Sequence, residues 1–372
     1  MVDRRYDVVV VGGGIAGVTA ANAASADRSV VLLEQEQELA HHTTSRSAAM
    51  FLVNEGQPIF HRLSTASRDF FESDHPELDA PLLDPLPVLK VGTSENHDEF
   101  VELAATQATG SLELIDADGL PELFPSFRPG VATIGLYEAT SASLDVMALH
   151  QLFLRRARAN GTEVLRSARV IGIESVRRRW RLTTPDDEIE CEVIINAAGA
   201  WGDVVGTMAG ARPIGLLPLR RTAFTSPVRA DTSGWPFVYA PSSRVHCYFK
   251  RESGSQLLCS LSDEAPSEPC DARPDQIDVA LALDHINHLT TLGLRSVNRS
   301  WAGLRTFAPD RGPVFGWDDR VEGFMWLVGQ GGCGIVTSPA AGDVVAALLA
   351  GHELPDHLLD VGLRRDQLEP RR

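Results

Sequence analysis

No apolar run in the chain reaches the roughly eighteen residues that a membrane-crossing helix needs. Cysteines at C-x-x-C spacing are also missing. The five present, Cys191, Cys247, Cys259, Cys270 and Cys333, leave at least one unpaired in any intrachain scheme. No zinc or iron–sulfur ligand set emerges, so no metal is expected and free thiols in a reducing compartment are. Positive charge is scarce: 34 Lys and Arg face 50 Asp and Glu, a formal net charge of −16. A nucleic-acid backbone would be repelled, whereas local charge still decides whether a small anion binds. The Met1–Arg5 start runs straight into a strand followed by a glycine turn. That differs from a signal peptide, and a cytoplasmic location is expected. No internal repeat is visible.

At 372 residues, with 44% hydrophobic content, the chain suits two folded domains better than one core. Its most informative stretch is Tyr6 to Glu34. A β-branched run, Val8-Val9-Val10-Val11, stops at Gly12, and G-x-G-x-x-G follows as Gly12, Gly14 and Gly17. A small-residue helix leads to a second apolar strand, which ends at Glu34. This pattern predicts a βαβ dinucleotide-binding unit. Gly12 permits the turn, Gly14 admits a pyrophosphate, and Gly17 lets helix and strand approach. Ile15 and Ala16 open the helix whose free N–H groups receive phosphate. Glu34, followed by Gln35, places a carboxylate where a ribose needs an acceptor, and disfavours a 2′-phosphate. FAD and NAD both fit at this point.

Further along, Thr43-Thr44-Ser45-Arg46-Ser47-Ala48-Ala49-Met50 reads as a loop entering a helix. Its hydroxyls can serve a phosphate or flavin edge, or Thr44 or Ser45 can simply cap. Residues 57 to 75, 99 to 110, 146 to 160 and 274 to 293 read as helices, the last with Ile277, Leu281, Ile286 and Leu289 on or near one face. Strands are expected at 88–92, 135–138, 163–165, 168–173, 180–184 and 190–195, the last rejoining the first sheet before Asn196-Ala197-Ala198-Gly199-Ala200-Trp201. Segments 237–239, 246–250 and 256–260 suggest antiparallel hairpins. The strand at 301–307 contains Arg305, and the strand at 323–328 enters Gly329-Gln330-Gly331-Gly332-Cys333-Gly334-Ile335. Thr337 or Ser338 then caps a final helix.

The first glycine motif, the T-S-R-S-A-A segment, N-A-A-G-A-W at 196–201 and the 329–334 turn occur together in this order. Over nearly the whole chain this resembles the FAD-dependent amino-acid oxidase and dehydrogenase superfamily of D-amino acid, glycine and sarcosine oxidases. Within it, the pattern looks most like the bacterial D-arginine dehydrogenases. The resemblance implies an α/β plus α+β protein: a Rossmann-like FAD-binding domain of the glutathione-reductase type (1–80, 145–210 and 300–372) and a mixed, largely antiparallel-sheet substrate cap (81–144 and 211–299). Non-covalent FAD would contact Gly12, Gly14, Ile15, Ala16, Gly17, Glu34, Gln35, Thr43 through Ala49, Arg169, Val170, Ala198, Gly199 and Trp201. It would also meet Arg305, Gly331, Gly332, Cys333, Gly334 and Ile335, with backbone N–H groups from Gly331 to Ile335 facing the ring. Arg305, Arg221 and Tyr248 match the family's substrate-carboxylate set.

Three departures bear on specificity. Val88 stands where D-arginine dehydrogenase has a guanidinium-binding glutamate, Met50 and Glu55 replace a histidine and a tyrosine, and Cys333 replaces another tyrosine. The expected activity is oxidation of a small carboxylated amine, a neutral or hydrophobic D-amino acid or an N-substituted one rather than D-arginine, with O2 or a quinone as electron acceptor. Oxidation of a 2-hydroxy acid is the alternative, and a non-catalytic flavin-binding protein a third.

Overall fold

The computed structural model describes residues 4–53, 55–106, 112–241 and 246–370. An eight-stranded sheet carries the first glycine motif. Its order is Gly172–Val176, Arg179–Thr183, Glu188–Asn196, Arg4–Val11, Val30–Leu33 and Glu163–Leu165; Phe324–Val328 also joins Glu188–Asn196 and in turn pairs with Val314–Trp317. Val8, Val9 and Val10 are fully buried, which explains an unbroken β-branched run rather than an alternating one. The central pairings are parallel, so Val11, Leu33, Asn196 and Val328 end along one edge, where doubly wound sheets bind ligands. Helices Ile15–Ala24, Pro58–Glu72, Val146–Ala159 and Ser338–Ala350 pack in one core over one face.

The second sheet has nine strands and is antiparallel except where Phe237–Pro241 runs parallel to Val88–Gly92. Register fixes which residues share a face. Lys90 lies opposite Tyr239, Tyr239 opposite Tyr248, and Tyr248 opposite Ser260. Arg305 is opposite Leu219 and Arg221 opposite Gly303, so both arginines point the same way while Arg220 points the other. Met50–Phe51, Ala142–Leu144 and Leu83–Pro85 form a separate three-stranded sheet.

Several expectations change. The 43–50 segment does not enter a helix: one 3-10 turn, Thr43–Arg46, is followed by Ala49 at φ +56° and the strand Met50–Phe51. The strand expected from 168 begins at Gly172. In helix Gln276–Leu289 the inner face is Val279, Ala282, Ile286 and Leu289, whereas Ile277 is 69% exposed. Nine residues separate Ile277 from Ile286, which puts them half a turn apart at 3.6 residues per turn. The helix expected at 99–110 spans His97–Thr106, and 107–110 lie outside the described residues. A domain boundary at 300 would cut the strand Arg299–Phe307, which hydrogen-bonds along its length to Leu217–Pro227 in the second sheet. Among the described residues, no helix is long and apolar enough to cross a membrane.

Candidate active site

The glycine turn is shaped by close contacts. Gly12 has φ +109°, and a Cβ there would lie 2.5 Å from the Ala197 carbonyl oxygen; one on Gly17 would lie 1.7 Å from that of Gly12. Gly14 caps helix Ile15–Ala24 without a side-chain bond. The Thr44 hydroxyl accepts from the Ile15 N–H at 3.0 Å, so Thr44 caps this helix rather than its own turn. The N–H groups of Gly14 and Ala16 have no partner among the described residues, leaving donors for a phosphate. Glu34 is buried and accepts from the N–H groups of Gly13 (2.7 Å) and Glu36 (2.9 Å), with lone pairs to spare for a ribose. His150, which the sequence reading missed, is buried on helix Val146–Ala159, and its Nε2 donates to the Gly13 carbonyl at 3.0 Å. Burial depresses its pKa, so the ring is neutral. It sits among leucines on an apolar stripe, and no pattern marks it.

A groove runs from this turn to the second sheet. It is bordered by Gly12, Gly14, Ile15, Ala16, Glu34, Gln35, Thr43, Thr44, Arg46 and Ser47, then Arg169, Val170, Ala198, Gly199 and Trp201. At the far end come Arg305, Gly331, Gly332, Gly334 and Ile335. Of the other expected cofactor contacts, Gly17 lies buried beneath the turn, Ser45 is exposed, and Ala48, Ala49 and Cys333 face the adjoining pocket. Arg46 is occupied: its guanidinium donates to the Ala302 (2.8 Å) and Ala272 (3.1 Å) carbonyls and to Asp271 (2.6 Å). With the Thr43 hydroxyl on the Leu304 carbonyl at 2.7 Å, it fastens one sheet's loop to the other's strand. Asp271, His41 and His42 come together here, but this arginine already neutralises the carboxylate. In the late turn, the N–H groups of Gly331 and Cys333 go to the carbonyls of Thr306 and Gln330, both at 2.9 Å. Only Gly332, Gly334 and Ile335 of the expected set keep N–H groups without a partner among the described residues.

Arg305 and Arg221 border both this groove and a second pocket under the second sheet. Arg221 is held by the turn 262–264: Nε donates to the Asp263 carbonyl (2.7 Å), Nη1 to the Ser262 hydroxyl (2.9 Å) and Nη2 to Glu264 (3.2 Å). Burial, then the neighbouring Arg305 charge, lower the Arg221 pKa to about 10. Glu264 also receives Arg311 at 2.9 Å, and Arg311 lies 3.9 Å over the Phe307 ring. Lys90 faces Glu55 at 3.6 Å. Arg305 alone among these bases has no hydrogen-bonding or ionic partner among the described residues, and its guanidinium lies against Gly332, where a Cβ would be 3.2 Å from Nη1. The Tyr248 ring stacks on Phe237 at 5.4 Å, with Val88 and Met50 on the same apolar wall. Cys333 contacts the Glu55 carbonyl, and burial pushes its thiol up to about 12, leaving no thiolate to attack a cofactor. Tyr239, Lys90, Asp263, Glu264 and Arg311 escaped the sequence reading as site residues, because strand register and loop contacts bring them in.

The model of the family described as FAD dependent oxidoreductase matches residues 7–348, and the chain belongs to that family. It is 23% identical to hydrogen cyanide synthase subunit HcnC of Pseudomonas aeruginosa, over 99% of this chain and 98% of that protein. It is 24% identical to a glycine oxidase of Bacillus licheniformis, over 94% of each. The crystal structure of L-proline dehydrogenase from P. horikoshii superposes with a TM-score of 0.83 at 20% identity, covering 98% of this chain and 100% of that one. The protein is an FAD-dependent oxidoreductase. Its glycine turn, unpaired helix-end donors and buried Glu34 fit a non-covalently bound FAD.

Proposed function

We propose that the protein oxidises the carbon–nitrogen bond of a neutral or hydrophobic amino acid, D-configured or N-substituted, giving an imine that water hydrolyses. The observation that carries this reading is the Arg305 guanidinium, without a partner among the described residues, at the junction of groove and pocket. A guanidinium fork grips both oxygens of a carboxylate. Bound FAD supplies the two-electron acceptor for the hydride from the α-carbon. Arg305 orients that carbon toward the groove, a positional contribution that can be large. Arg221, with its donors engaged, shapes the site and adds positive potential, and Tyr248 closes it on the cap side.

The apolar wall of Val88, Phe237 and Met50 accommodates an uncharged side chain. Glu55 is already neutralised by Lys90, which supports a neutral substrate over D-arginine. The relatives named for glycine and L-proline oxidation support an amine substrate. The N–H groups of Gly332, Gly334 and Ile335, free among the described residues, with the start of helix Ser338–Ala350 nearby, would stabilise negative charge at the groove's far end. Oxygen or a quinone-type acceptor would complete the cycle. Anaerobic mixing with D-, L- and N-alkyl amino acids tests the reading. Flavin bleaching by neutral members supports it, and bleaching by none overturns it. Release of ammonia or an amine separates it from 2-hydroxy-acid oxidation.

A further inference from the structure

At the wall of the pocket, two acids hold one residue. Asp263 Oδ1 accepts the Thr222 backbone N–H at 2.9 Å, and Asp278 Oδ2 accepts the Thr222 hydroxyl at 3.3 Å. The other Asp263 oxygen, Oδ2, is buried with no partner among the described residues. Among the described residues Arg220, Arg221 and Arg311 are engaged elsewhere, and Arg305 on the same pocket makes no bond to Asp263. Arg220 on the same strand as Thr222 binds Asp275 (3.0 Å) and Asp278 (3.2 Å) of helix Gln276–Leu289, and Arg221 binds the Asp263 carbonyl, Ser262 and Glu264. Arg311, from the loop after Phe307, is held by Glu264.

A buried carboxylate oxygen without a donor, beside another carboxylate, is costly unless it carries a proton. We infer that Asp263 is a positioning residue: as a neutral carboxylic acid beside Asp278, which Arg220 holds, it seats the Ser262–Glu264 turn that holds Arg221 next to the carboxylate site. Its ionisation would leave a buried charge with no donor on Oδ2 among the described residues, next to the Asp278 carboxylate that Arg220 already holds, and loosen that turn. Burial, with Asp278 opposing ionisation, pushes the Asp263 pKa up to about 6, which sets the range of the effect. His246, which lines the same pocket beside Arg221 and Glu264 and whose pKa burial lowers from the ordinary histidine value, is the group to control for.

The inference rests on the pocket taking a carboxylate. The test uses the FAD-loaded protein and benzoate, which stays ionised throughout, read by the shift it causes in the flavin spectrum. Wild-type affinity is expected to fall about fivefold between about pH 5 and about pH 8, a coupling of ordinary size. Asp263→Asn should keep the low-pH affinity at every pH, and His246→Gln should retain the wild-type fall. A flat wild-type profile, a persistent fall in Asp263→Asn, or loss of the fall in His246→Gln overturns the inference. Should Asp263→Asn not fold, Asp278→Asn serves: its midpoint must move to lower pH, and an unmoved midpoint is equally fatal. Absence of benzoate binding at all pH values defeats the carboxylate site and this link to it. The carboxylic-acid stretch in infrared spectra, present in wild type at low pH and missing in Asp263→Asn, reads the proton independently. Its absence from wild type defeats the inference even if the substrate reading stands.

Discussion

Replacing Arg305 by lysine keeps the charge and removes the fork. Arg305 lies on Gly332 with no partner among the described residues, so its donors are free for a carboxylate. A hydrogen bond to a charged group contributes about 1.5–3 kcal/mol, and an ammonium in its place gives up at least one of the two parallel bonds. At about 1.4 kcal/mol per decade, KM for a carboxylated substrate should rise about tenfold to hundredfold. Steady-state turnover with a dye acceptor, on protein of verified flavin content, measures this. The same amine lacking its carboxylate provides the control and should change by less than about twofold if the effect is local. An unchanged KM, or an equal loss with both substrates, would refute the placement of the clamp.

Gly17→Ala puts a Cβ 1.7 Å from the Gly12 carbonyl oxygen, backbone that cannot step aside. Overpacking of this kind costs about 3 kcal/mol or more, and the variant should lose flavin absorbance per mole of protein. His150 has a folded-state pKa depressed by burial. Its unfolded form takes up a proton below about 6.5 while the folded form resists, so its stability contribution is present above that pH and lost as pH falls. Urea titrations at neutral and acid pH should show part of the acid loss vanish in His150→Gln, whose amide can still donate to Gly13. Lys90→Met releases Glu55, and the ratio of kcat/KM for a cationic over a neutral amino acid should rise by about fivefold or more. No change in that ratio would remove Glu55 from the specificity account.

The glycine unit was legible because its signals lie within thirty residues and each glycine answers a local demand. Helix Val146–Ala159 was legible for the same reason, since its Asp145 cap and apolar stripe are adjacent in sequence. What stayed hidden depends on pairing between distant segments. Alternation separates Arg220 from Arg221, but only the register against Arg299–Phe307 shows which shares a face with Arg305. Lys90, Tyr239 and Tyr248 form one row across three strands, and nothing local in Val88–Gly92 announces it. The Asp263 turn was equally invisible, because its partners lie about forty residues back on a neighbouring strand. Pairing also explains why Arg299–Phe307, whose Arg305 borders the cofactor groove, belongs to the second sheet.

The most direct test is a crystal structure of the FAD-loaded protein with a slowly oxidised amino-acid analogue. The account predicts the analogue's carboxylate on the Arg305 guanidinium, with two nitrogen–oxygen distances of about 2.8 Å, and its α-carbon over the flavin. A carboxylate bound elsewhere, with Arg305 turned to a protein acid, would contradict it.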